Sequence, residues 1–105
     1  MLKRAELKNI GGIVEIIETN AFERSVKRLH RNQIKDLDEA VKNIINNPNI
    51  GEVKVGDLAG VRVYKFRMVN QLTLLAYIYD ELKNEIVVLN FAPHEHFYRN
   101  LKKQK

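Results

Sequence analysis

The sequence predicts an α+β fold: an N-terminal strand and a helical hairpin packed on an antiparallel sheet of three to four strands, closed by a short C-terminal helix. Three observations predict it. Two successive segments carry apolar residues at helical spacing, first Phe22, Val26 and Leu29, then Ile34, Leu37, Val41, Ile44 and Ile45. After residue 60 the period changes to that of strands, with alternation over 61–69 and nearly continuous apolar runs over 72–79 and 85–91. Two helices with apolar stripes need a surface to cover, and such a sheet supplies it.

The 105 residues suffice for one domain spanning 1–105, and 45% hydrophobic residues can furnish its core. Residues 1–12 are polar and end in Gly11-Gly12, so they read as a lead-in without chemistry. The branched apolar run 13–18 reads as a first strand. Thr19 or Asn20 can cap the first helix, with Glu23 near its positive end. The second helix starts after Asn32 and stops at Asn46-Asn47-Pro48-Asn49, where proline cannot continue the hydrogen-bond ladder. Residues 51–60 form a loop with short strand character, and Asp57-Leu58-Ala59-Gly60 turns the chain into the next strand. Turns at Asn70-Gln71 and 80–84 separate the last strands. Pro93 opens a helix over about 94–103, because a first helical position does not need the missing N–H.

Eighteen Lys and Arg oppose thirteen Asp and Glu, a net charge of +5. That balance favours an anionic partner, either nucleic acid or an acidic protein. With no cysteine, disulfides and thiolate chemistry are excluded. No apolar run is long enough to span a membrane, and none follows the basic N-terminus as a signal peptide would require, so the expected location is the cytoplasm, with no membrane partner.

Alternation over 61–69 places Tyr64, Phe66 and Met68 on one face and Val61, Val63, Lys65 and Arg67 on the other. Arg62 belongs to the aromatic face, near its edge. Lys65 and Arg67 thus stand about 7 Å apart, close to the spacing of phosphates on an extended single strand. Lys27, Arg28 and Arg31 lie opposite an apolar stripe and read as a solvated helix face. His94, His96 and Tyr98 cluster near the C-terminus. In a regular helix His94 and Tyr98 share a face, while His96 does not. In an extended segment the two histidines point the same way. Two histidines without further ligands do not make a zinc site, so no metal and no other cofactor is expected.

The order of these pieces resembles the RelE/ParE superfamily of toxins from type II bacterial toxin–antitoxin pairs. The carrying residues are the hairpin ending in Asn47-Pro48, then Asp57-Leu58-Ala59-Gly60, Val63-Tyr64-Lys65-Phe66-Arg67 and Leu74-Leu75-Ala76-Tyr77. The ending Pro93-His94-Glu95-His96-Phe97-Tyr98-Arg99 completes the set. The superfamily holds two activities: RelE-like members cleave messenger RNA, mostly on the ribosome, and ParE-like members inhibit DNA gyrase without catalysis. By matching position, the resemblance implies that Lys65 and Arg67 bind the scissile phosphate, with Tyr98 and His94 completing the site. Arg62, Arg99 and Lys102 would extend the RNA contact. Many relatives carry an arginine near the position of Thr73; here Arg62, Arg99 or Gln71 would have to substitute, or the histidines would carry more of the work. A cognate antitoxin is implied as partner, with mRNA and the ribosome as target.

The chemistry such a site supports is attack by the RNA 2′-hydroxyl on its own phosphate. Histidine suits both proton roles, because its unperturbed pKa of about 6.5 lies near working pH. Arginine suits the phosphate through its planar fork of donors. A tyrosine, with an ordinary pKa near 10, is a poor base. It serves to donate a proton, orient the phosphate or stack on a base.

Overall fold

A computed structural model describes residues 3–9 and 12–95. Strands β1 (Lys3–Asn9) and β2 (Gly12–Glu18) are followed by helices α1 (Asn20–Val26) and α2 (Arg31–Asn46). Then come β3 (Glu52–Val53), a 3₁₀ turn (Gly56–Leu58), β4 (Arg62–Met68), β5 (Gln71–Asp80) and β6 (Glu85–Pro93). The strands form one six-stranded sheet in the order β1-β2-β6-β5-β4-β3. Neighbours pair antiparallel except β2 and β6, which run parallel.

The α+β layering is as the sequence predicts, with two corrections. The sheet has six strands instead of three or four, and it is mixed. Residues 3–9, expected as a lead-in, form an edge strand in hairpin with β2, from Lys3 opposite Glu18 to Asn9 opposite Gly12. An edge strand has one neighbour and little to bury: Ala5 and Leu7, opposite Ile16 and Val14 on the helical face, are both exposed. The final helix begins at His94–Glu95, immediately after Pro93 ends β6, and its expected remainder lies outside the described residues.

Each helix is pinned by polar side chains. Thr19 caps α1: its hydroxyl accepts from the Phe22 N–H at 3.2 Å and donates to the Leu89 carbonyl of β6 at 2.6 Å. The Gln33 side chain accepts from the His30 N–H at 2.8 Å at the start of α2. Asn43 of α2 donates to the Tyr64 hydroxyl at 3.1 Å. The core between helices and sheet joins Phe22, Leu37, Ile44 and Ile45 to Val14, Ile16, Leu75, Tyr77, Ile86 and Val88. On the far face a smaller cluster gathers Leu58, Val61, Val63, Leu74, Ala76 and Ala92. The sheet is therefore apolar on both faces near β4–β6, which explains the near-continuous apolar runs there.

Two loops are fixed individually. Tyr77 is fully buried; its hydroxyl accepts from the Gly51 N–H at 2.9 Å and donates to the Pro48 carbonyl at 2.7 Å. A Cβ on Gly51 would stand 2.7 Å from that hydroxyl oxygen, so only glycine fits the loop after α2. The β4–β5 connection is a two-residue turn at Val69-Asn70, with φ of 48° and 69°. Valine is rare at positive φ. Here the Asp36 carboxylate of α2 accepts the Val69 N–H at 2.8 Å and holds the turn in place.

Candidate nucleic-acid interface

Period-2 alternation carries β4 from the far-face core to the surface. Val63 is buried in the smaller cluster, and Lys65 and Arg67, the next residues on that face, are exposed. Lys65 stands opposite Leu74, and Leu74 opposite Ala92 of β6. Arg67 stands opposite Leu72. The two cations thus stand at the edge of the buried far-face cluster that holds Leu74, Ala76 and Ala92. One Arg67 Nη1 donates to the Asn70 carbonyl at 3.1 Å, which orients the guanidinium and leaves further donors for a ligand. Glu52, on neighbouring β3, is engaged at 3.2 Å by Lys54.

His94 is exposed and leaves the sheet one residue after Pro93, which pairs with Thr73. Arg67 pairs with Leu72, so two strand spacings, on the order of 10 Å, separate the backbones of His94 and Arg67. His96, Tyr98, Arg99 and Lys102 lie outside the described residues.

Arg62 is not brought to Lys65 and Arg67. It lies on the helical face, where its Nη1 donates to the carbonyls of Asn49 and Gly51 at 3.3 and 3.0 Å. Gln71 and Thr73 also lie away from the cation pair. Thr73 is buried, with its hydroxyl donating to the Gln71 carbonyl at 3.1 Å. Both line a separate cleft of about 470 Å³ on the helical face, with Ser25, Arg28, Gln33 and Asn90 at its polar rim and Met68 and Phe91 among its apolar walls.

That cleft was not anticipated. Arg28 reads from sequence as a solvated helix residue, yet it reaches this rim. Asn90 reaches it because a register shift between Ala76 and Tyr77 breaks the alternation of β6, letting Asn90 accept from the Ser25 hydroxyl at 2.8 Å. A bulge has no signature in apolar periodicity. Tyr77, whose burial raises its pKa above the ordinary tyrosine value, belongs to neither site.

The family model described as the ParE-like toxin of type II bacterial toxin–antitoxin systems matches residues 16–102. The chain belongs to that family. It is a RelE/ParE-superfamily toxin. Its fold is also that of a chain in the crystal structure of the intact E. coli RelBE toxin–antitoxin complex. The TM-score is 0.61 at 14% identity, over 74% of this chain and 93% of that one. No curated protein matches the sequence. In this toxin, β1 and the first half of β2 precede the span that the family model covers.

Proposed function

We propose that this toxin is an endoribonuclease that cleaves messenger RNA, on the ribosome. The observation that carries the reading is the pair of exposed cations, Lys65 and Arg67, on the face of the sheet away from both helices, with His94 leaving β6 beside them. Lys65 and Arg67 hold the scissile phosphate and stabilise the charge that builds on its oxygens, commonly the largest catalytic contribution. The RNA 2′-hydroxyl attacks phosphorus, the 5′-oxygen leaves, and a 2′,3′-cyclic phosphate remains. His94 transfers one of the two protons, with His96 and Tyr98 as the other candidates for proton transfer or substrate orientation. The cognate antitoxin, the partner implied by a fold shared with a toxin–antitoxin complex, covers this basic face, and the net charge of +5 favours an acidic segment for it. The cell compartment of this activity is the cytoplasm.

The description of the matched family as ParE-like supports a second reading, a gyrase inhibitor without catalysis. Induced expression with two reporters separates them. The ribonuclease reading predicts an immediate fall in translation with truncated transcripts and no early DNA-damage signal. Early DNA-damage induction with intact transcripts selects the gyrase reading.

A further inference from the structure

The two ends of the sheet are guarded unequally. At one end β3 is only two residues long, a common way to blunt an open edge. At the other, β1 is seven residues long, without proline and without a break in its register to β2. Among the described residues no strand pairs with its outer edge. That edge presents a ladder of N–H and C=O groups to any strand that approaches.

Beside it, on the helical face, lies an apolar groove of about 340 Å³ walled by Leu7, Phe22, Val26, Leu37, Val41 and Ile45. Leu7 stands at its mouth, 44% exposed. Glu6 and Lys8, both exposed, flank Leu7 in sequence and take the opposite face of the strand. In the hairpin, Glu6 is opposite Glu15.

We propose that two copies of this chain associate through β1, antiparallel and centred on Leu7. The strand's own sequence selects the occupant and the register. For two copies to keep their helical faces on the same side, the symmetry axis must pass midway between the two copies of one residue, which then face each other. Centring on Glu6 sets Glu6 against Glu6. Centring on Ala5 pairs Arg4 with the partner copy's Glu6 twice but sets Lys3 against Leu7, and it leaves Lys8 outside the overlap, so Lys8→Glu separates that register from the next. Centring on Leu7 sets Leu7 against Leu7 at the mouths of the two grooves, and Glu6 against the partner copy's Lys8 twice over. The Leu7-centred register combines two opposite-charge pairs with an apolar pair at its centre, and of the registers compared it alone places Leu7 against Leu7. The overlap covers residues 5–9, a small interface, so the dimer is weak, with a Kd of about 10 µM to 1 mM.

Charge reversal tests it on the full chain by sedimentation velocity. Glu6→Lys and Lys8→Glu each create two like-charge pairs in the dimer and should weaken self-association about tenfold. An equimolar mixture of the two variants restores opposite charges at both pairs and should associate as well as the wild type, as should the double variant. The chain has no cysteine, so single-cysteine variants report the register without background. Leu7→Cys should form a disulfide dimer faster than Ala5→Cys, Glu6→Cys or Lys8→Cys. A chain that remains monomeric to about 1 mM, or a mixture no better than its parts, or faster cross-linking through residue 5, 6 or 8, overturns the proposal. So does an edge whose β1 amides become protected from exchange only when an antitoxin is added; that result assigns the strand to the antitoxin.

Discussion

Tyr77 ties the loop after α2 to the centre of the sheet, and its phenol has no substitute there. Replacing it with phenylalanine strands the Gly51 N–H and the Pro48 carbonyl. A buried polar group left unsatisfied costs about 1–3 kcal/mol, so Tyr77→Phe should lower stability by that amount in urea denaturation. The same residue sets an alkaline limit. Burial raises its folded pKa, whereas the unfolded phenol titrates near 10. Its contribution is therefore complete below about pH 10 and lost as pH rises through the folded value, because the unfolded state releases its proton first. The alkaline limb of the stability–pH curve should be shallower in Tyr77→Phe. At the candidate site, Lys65 and Arg67 act through charge. On single-stranded RNA each phosphate contact contributes roughly 0.7 to the slope of log K against log salt. With both cations on the one scissile phosphate, Lys65→Ala/Arg67→Ala should reduce that slope by about 0.7, measured by fluorescence anisotropy on a labelled oligonucleotide.

At the level of elements, strain is concentrated in the β4–β5 turn. Val69 holds φ at 48°, a conformation that asparagine adopts more readily. Val69→Asn should raise stability by about 1 kcal/mol, within the 1–3 kcal/mol usual for such strain, while the Asp36 contact keeps the backbone in place. Asp36→Ala should do the opposite, and thermal melts of both variants check the pair. The elements were legible in proportion to how local their signal is. Both helices and their Thr19 and Asn47-Pro48 boundaries follow from spacing and capping within a few residues, although Leu29, expected on the first stripe, lies beyond the end of α1. The two faces of β4 follow from alternation, which alone puts Lys65 and Arg67 on one face. β1 was missed because an edge strand has little to bury. The parallel pairing of β2 with β6 was missed because it joins segments about seventy residues apart, as in Ile16 with Ile86. Periodicity carries no information about which distant strands meet. The Asn90 position was hidden by the shift beside Ala76, which breaks the rule that sequence alternation relies on.

Across the whole molecule, the sheet divides the basic residues between two faces. Arg62 and Arg28 belong to the helical side, one donating to loop carbonyls and the other at the cleft rim. Lys65 and Arg67 belong to the far side. Net charge alone would treat these four residues alike, whereas the ribonuclease reading assigns cleavage to one face. The measurement that tests this most directly is primer extension on a defined mRNA with programmed ribosomes. It would compare the wild-type chain with Lys65→Ala/Arg67→Ala and with Arg28→Ala. Wild type and Arg28→Ala should cut at the same positions with rates within about threefold. The far-face double variant should lose cleavage by at least about a hundredfold, the effect of removing one preorganised charge-stabilising group. Cleavage that survives loss of both far-face cations, or that fails in Arg28→Ala, would contradict the assignment of the site to that face.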